Sequence, residues 1–262
     1  MRGRLSALPN ADADAAPSLA DSAKVVVWGL VFWGSVQIAA AALERNAVAM
    51  VVVQAGLAEW GAGRMAIAWS DPRAEAPSGW AIGRRAGVGV ALGVGSAALV
   101  AAVAIGFRDA VVQTGAPATG ALLVGLFVAA MGAVRDELLL RGVVLRAMRP
   151  LPVGAALIAC GLAAAAARFG TDGVVTLALI PEALRGTALG ALWVRDKGAR
   201  MACGANAAWA WTLGPVLGGN LLDVRFATEA GSGRSAIAVL AVASVAACVW
   251  AAGKWPGARA SS

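Results

Sequence analysis

The sequence predicts an all-α integral membrane protein, built as a bundle of about eight transmembrane helices with both chain ends in the cytoplasm. Of its 262 residues, 60% are hydrophobic and 14% are charged, and the mean hydropathy is +0.74. A soluble domain is about 45–50% apolar and about 25% charged. This composition therefore excludes a water-soluble globule, and the same apolar excess excludes a disordered chain.

The predicted spans are the long apolar runs of the chain, and Gly, Ala and Val dominate them. A helix needs about 20 apolar residues to cross a hydrocarbon core about 30 Å thick. Small side chains also let helix backbones approach closely inside a bundle, as a G-x-x-x-G pair such as Gly89 with Gly93 would, within the chain or between chains. The spans are 25–43, 47–69, 86–107, 121–145, 153–168, 174–194, 201–222 and 236–253.

The distribution of Lys and Arg predicts the orientation, because cytoplasmic loops carry an excess of both. With the N-terminus inside, thirteen of the 22 basic residues fall on the cytoplasmic side, five fall outside and four lie within spans. We therefore expect residues 1–24 to form a disordered cytoplasmic arm, 25–253 a single helical membrane domain, and 254–262 a cytoplasmic tail. The arm lacks the apolar h-region of a cleaved signal peptide.

The location and partners follow from the same counts. Heavy use of Ala, Gly, Val and Arg is typical of a GC-rich bacterial genome, so we expect a multi-pass protein of the inner (plasma) membrane. The net charge of +7 is spread over short loops, which favours the lipid bilayer as partner and argues against nucleic acid. The chain has no histidine, and its three cysteines are scattered in apolar runs, so we expect no metal and no other cofactor.

Four acidic residues fall inside the predicted spans, where an ionisable group is costly and marks a site or an internal pair. Glu59 lies five residues before Arg64, and Glu182 lies three residues before Arg185. We interpret these two as ion pairs that ease insertion. Pro181 predicts a kink beside Glu182.

The segment from Arg135 to Gly142 is the strongest candidate for a functional site. On an α-helix the adjacent Asp136 and Glu137 point about 100° apart. Glu137 lies four residues before Arg141, on the same face, so one acid can pair with Arg141 while the other faces a cavity. A carboxylate in such a place is a candidate general base for activating water.

This segment resembles the first motif, E-E-x-x-x-R followed by Gly, of the CAAX-protease and bacteriocin-processing (CPBP) intramembrane endopeptidases. Asp136, Glu137, Arg141 and Gly142 match it in register on the fourth span, and VVLRAMRP and GTALGALWVRDKGARMACGAN resemble later stretches. The resemblance covers residues 120–222. It implies a bundle of eight membrane helices that cuts polypeptides near or within the membrane.

The chain departs from that family at three positions. Asp136 replaces the first glutamate, which is thought to activate water. The F-x-x-x-H motif of the fifth helix becomes Ala164 to Arg168, and the H-x-x-x-N motif of the seventh helix becomes Asn206 to Ala210.

Two hypotheses follow from the resemblance, and a third stands apart from it. A divergent endopeptidase would use Asp136 and Glu137 on water, Arg141 to orient a carboxylate, and Asn206 and Arg168 to stabilise an oxyanion. A pseudoprotease would bind a membrane peptide or a lipidated tail without cutting it. The third hypothesis is a small transporter or channel, whose intramembrane ion pairs line a pathway.

Overall fold

The computed structural model describes residues 19–69, 78–172, 179–226 and 229–252, and these are mostly helical. Two helices continue directly into π-helices, so this part of the chain forms eight helical segments, in the order of the eight predicted spans. The elements are α1 (Leu19–Ala42), α2 (Ala47–Arg64), α3 (Gly79–Gly106), β1 (Ala110–Thr114), α4 (Thr119–Asp136), a first π-helix (Glu137–Gly142), α5 (Val143–Ala147), α6 (Val153–Asp172), α7 (Leu179–Asp196), α8 (Arg200–Trp211), a second π-helix (Thr212–Val216), β2 (Leu222–Phe226) and α9 (Glu229–Ala251).

Three helices in the described ranges are long and apolar enough to cross a membrane: Ala20–Ala42, Gly79–Gly106 and Gly233–Ala251. The helix Val153–Arg168 is apolar but shorter. Large apolar side chains on the outer faces of α1 and α9 are exposed, among them Ile38 at 72% and Val242 at 71%. Such faces are stable against lipid and would be costly in water.

Several predicted boundaries are wrong. Helix α1 begins at Leu19, so residues 19–24 are helical and do not belong to an arm, while residues 1–18 and the tail 254–262 lie outside the described residues. Helix α3 begins at Gly79, with Ser78 accepting a hydrogen bond from the amide of Ala81 at 3.3 Å, and not near residue 86. An N-cap of this kind satisfies an amide that has no partner within the helix.

Pro181 is the third described residue of α7, and residues 173–178 before that helix lie outside the described residues. The kink expected at this position therefore stays a prediction.

The described residues are mostly helical, as the all-α class predicts, but β1 and β2 also pair as a two-stranded antiparallel sheet that was not predicted. Val112 lies opposite Val224, and the strands follow the ends of α3 and of the second π-helix. Both segments contain β-branched residues, which are favoured in strands. Each strand is only five residues long and adjoins long apolar runs with helical periodicity, so the sequence pattern did not indicate the sheet.

Glycines set the closest helix contacts of the bundle. A methyl group at Gly89 or Gly93 would overlap backbone carbonyl oxygens of Met201 and Ala205, so α3 and α8 pack almost backbone to backbone. The G-x-x-x-G pair thus joins two helices within the chain. Gly89 faces Met201, and four residues further along both helices Gly93 faces Ala205, so the two helices run in the same direction.

Candidate functional site

Glu137 and Arg141 form the buried centre of the candidate site. Glu137 is 0% exposed and Arg141 1% exposed, and Nη1 of Arg141 lies 3.4 Å from Oε1 of Glu137. The predicted pairing of these two residues is confirmed. Removing two charges from water is costly unless each finds a partner, so the pair holds this turn in one arrangement.

The helix changes type at this pair. Residues Glu137–Gly142 form a π-helix, in which the amide of Val143 donates to the carbonyl of Leu138 five residues earlier. The expected α-helical geometry is wrong for this turn, although the ion pair still forms because four residues still span nearly one turn. π-turns are rare and occur frequently at functional sites.

Asn206 links the pair to α7. Its Nδ2 donates to Oε1 of Glu137 at 3.1 Å, and its Oδ1 accepts from Nη1 of Arg185 at 2.7 Å. Arg185 in turn donates through Nε to Glu182 at 3.1 Å, and its Nη2 forms an ion pair with the same carboxylate. A polar line therefore runs from α7 through α8 to the first π-helix.

The second acid, Asp136, points elsewhere. It pairs with the neighbouring Arg135 at 2.7 Å, and Nη1 of Arg135 donates at 2.8 Å to Oε1 of the buried Gln54 on α2. The side chain of Asp136 is 20% exposed. The two adjacent acids thus have different partners, and Glu137 is the one that pairs with Arg141.

A cavity of about 340 Å³ lies beside this polar line, between α3, α7, α8 and α9. Its walls are mostly apolar, with Ser96, Arg185 and Asn206 as polar side chains; Asp136 and Glu137 are not among its lining residues. Helix α9 contributes Ala243 and Trp250 to these walls. We predicted that one of the two acids faces a cavity, and for this cavity that prediction is wrong.

Some hydrogen-bonding capacity is left in the site. Within the described residues, Oε2 of Glu137 and Nε of Arg141 are buried without a hydrogen-bond partner. The amide of Asn206 carries two hydrogens, of which one is used on Glu137. The cluster can therefore bind a further polar group, most directly from the cavity side of Asn206.

Arg168 lies apart from this cluster. It is exposed near the end of α6, whereas Cys160 of the same helix is buried in the core cluster that contains Leu138 and Leu139 of the first π-helix. Eight residues separate Arg168 from Cys160, which amounts to about 12 Å along a helix. The other two positions carried over from the family also lie outside the polar line: Ala164 packs against Gly186, and Ala210 is exposed.

Two residues that take part in the site, Arg185 and Gln54, were not predicted to do so. The pairing of Glu182 with Arg185 was predicted and is confirmed, but it was interpreted as structural, whereas Arg185 also bonds to Asn206 and lines the cavity. The sequence distinguished Gln54 only as a polar residue within the predicted apolar span 47–69.

The pairing of Glu59 with Arg64 is wrong. Glu59 accepts the indole N–H of Trp69 at 2.8 Å, and Arg64 lies 5.7 Å from the ring centroid of Trp60. Five residues on an α-helix place two side chains on different faces, so each finds a nearer aromatic partner.

No protein-family model, no curated protein and no solved structure matches the chain. Its chemistry must therefore be argued from the site. Arginine stays protonated near neutral pH, and an amide is neither acid nor base, so the groups at the cavity donate hydrogen bonds but do not move protons. Such an arrangement suits the binding of a carbonyl or carboxylate group.

Proposed function

We propose that this chain is a multi-pass protein of the inner (plasma) membrane that binds membrane-embedded polypeptide segments through a degenerate intramembrane-peptidase site. One observation carries this proposal: the cavity beside the cluster is lined by Arg185 and Asn206, and not by Asp136 or Glu137. The site can thus donate hydrogen bonds to the backbone carbonyls of a bound segment.

The resemblance to the CPBP endopeptidases supports this assignment. Glu137 and Arg141, which match the first family motif, lie in one buried cluster with Asn206, which stands at the histidine position of the third motif, although Asn206 comes from a distant part of the chain. Inherited contacts between motif positions would produce this convergence. We therefore infer descent from a peptidase of that type.

The chemistry favours binding over cutting. With no histidine in the chain, the proton-transfer group that such a peptidase needs is missing, and losing one costs about 10²–10⁴-fold in rate. Asp136 is shorter than the glutamate it replaces and is paired with Arg135. A displacement of about 1 Å in a catalytic group can cost a further 10²-fold.

We also infer that all eight helical segments cross the bilayer, with both ends in the cytoplasm. Two ion pairs support this arrangement. Arg85 at the start of α3 pairs with Asp196 at the end of α7, at 3.3 Å. Arg234 near the start of α9 pairs with Asp109, just after α3, at 3.1 Å. If successive segments cross in alternating directions, the start of α3 and the end of α7 lie on one side of the membrane, and the end of α3 and the start of α9 lie on the other. The two ion pairs join these same ends, and the side with Arg85 is rich in basic residues, as expected of the cytoplasmic side.

The binding test uses the purified full-length protein in neutral lipid nanodiscs. The probe is a fluorescein-labelled peptide with a core of about 20 apolar residues, the length that spans a bilayer. We expect its anisotropy to rise on binding. Ala243→Trp, which fills the cavity, should abolish that rise, whereas Val242→Trp on the exposed face of α9 should leave it intact. Equal binding by both variants would overturn the proposed site.

The cutting test uses a peptide with the same apolar core, now carrying a fluorophore at one end and a quencher at the other. We expect no cleavage above the rate without protein. Cleavage by the wild type that is lost in Asp136→Ala or Glu137→Ala would contradict the binding role and identify an active peptidase.

A further inference from the structure

The cavity has a cationic end near Trp250, which plays no part in the proposed binding of a polypeptide segment. It follows α9 from Leu240 to Trp250, a length of about 15 Å at 1.5 Å per residue. Between these ends its walls are apolar side chains such as Leu189, Leu192 and Ala247. The space is therefore a long apolar slot between helices.

Arg195 lies at the end of the slot that Trp250 marks. Its guanidinium carbon is 4.7 Å from the centroid of the Trp250 ring. Within the described residues Arg195 forms no ion pair, and its Nε is buried without a hydrogen-bond partner. Within the part of the chain that the structure describes, the ring of Trp250 thus holds this charge at the mouth of the slot.

The surroundings of Arg195 add positive charge. Lys197 and Arg200 lie in the following turn and at the start of α8, and Nη1 of Arg200 is likewise buried without a hydrogen-bond partner in the described part of the chain. The nearby carboxylate of Asp196 is taken by Arg85 and by the amide of Met201. This end of the slot is therefore cationic overall.

We propose that the slot holds one acyl chain of an anionic phospholipid from the surrounding bilayer, with the phosphate bound at Arg195. Two of its walls, α3 and α9, are helices that qualify as membrane spans, so a ligand that enters between them comes from the lipid. Basic groups at the cytoplasmic ends of transmembrane helices bind anionic headgroups in this way. The lipid occupies the slot when no polypeptide is bound, so the two compete.

The test compares two lipids with identical acyl chains on the purified, delipidated full-length protein. Native mass spectrometry measures retention of dioleoyl phosphatidylglycerol and of dioleoyl phosphatidylcholine, with no peptide present. We expect the wild type to prefer the anionic lipid about tenfold. Arg195→Gln should remove that preference, whereas Arg108→Gln, an exposed cation after α3, should keep it.

The slot itself is tested by filling it. Ala243→Trp should abolish retention of both lipids, while Val242→Trp on the lipid-facing side retains them. If Ala243→Trp does not fold, Ala188→Leu takes its place, since Ala188 also lines the slot. Equal retention of the two lipids by the wild type, or an equal loss of preference in Arg195→Gln and Arg108→Gln, would overturn the proposal. Because no peptide is involved, these outcomes are independent of those for the proposed function.

Discussion

Asn206 and Glu137 lie 69 positions apart in the chain, yet the side-chain amide of Asn206 donates to the Glu137 carboxylate at 3.1 Å in the buried centre of the bundle. The same Asn206 accepts from Arg185, so one amide connects a buried carboxylate to a cation that lines the cavity. A ligand that moves the side chain of Asn206 therefore also changes its hydrogen bond to Glu137.

Replacing Asn206 should weaken the fold. In Asn206→Leu, Arg185 loses an acceptor and Glu137 a donor in the buried interior, and each buried group left without a partner costs about 1–3 kcal/mol. We expect a lower midpoint of thermal unfolding, followed by tryptophan fluorescence in detergent. Gln113→Leu, on the exposed strand β1, serves as the control and should shift stability by no more than about 0.5 kcal/mol. Equal midpoints for the two variants would contradict the connecting role of Asn206.

The pair of Glu137 and Arg141 should respond differently to single and double replacement. Arg141→Ala leaves a buried carboxylate unpaired, which costs about 3–5 kcal/mol and should lower the yield of folded protein. The double variant Glu137→Leu/Arg141→Met replaces both charges with apolar side chains and should recover most of the loss. The measurement is the yield of monodisperse protein together with its unfolding midpoint. A double variant as unstable as Arg141→Ala would show that the charges themselves are needed.

The two adjacent acids should differ sharply in their effect on stability. Glu137→Ala strands the buried Arg141 and should cost as much as Arg141→Ala. Asp136→Ala releases a partly exposed pair, in which Arg135 keeps its bond to Gln54, and should cost about 0–1 kcal/mol. Thermal unfolding of the two variants under one set of conditions compares them directly. Equal destabilisation would mean that Asp136 is as deeply engaged as Glu137.

Two glycines of α3, two residues apart, offer a matched comparison of helix packing. A methyl group at Gly89 would overlap the carbonyl oxygen of Met201, whereas one at Gly87 would have open space around it. Gly89→Ala should therefore push α3 and α8 apart and destabilise the protein. Gly87→Ala should be neutral or stabilising by up to about 1 kcal/mol, because Ala favours a helix over Gly. Chemical unfolding of both variants gives the sign, and a stable Gly89→Ala would refute the close contact.

The candidate site was partly predictable from the chain. A local spacing of four residues was enough to predict the pairing of Glu137 with Arg141, and one of three residues was enough for Glu182 with Arg185. Neither spacing indicates which second partner each pair would meet. The contact of Asn206 with both pairs depends on how α7 and α8 pack against the first π-helix, and no local pattern encodes that packing.

The sequence by itself determined the mostly helical fold and the order of the eight helical segments in the described residues, because apolar runs of this length must satisfy their own backbone hydrogen bonds. It also determined which charges are neighbours along one helix, because that distance depends only on helix geometry. The tertiary structure alone decided that Asp136 turns to Arg135 and Gln54, that Arg64 lies over Trp60, and that β1 pairs with β2. In each case a residue from another segment decides the outcome: Gln54 of α2 reaches Arg135, Trp69 binds Glu59 and leaves Arg64 beside Trp60, and the packed bundle brings β2 to β1.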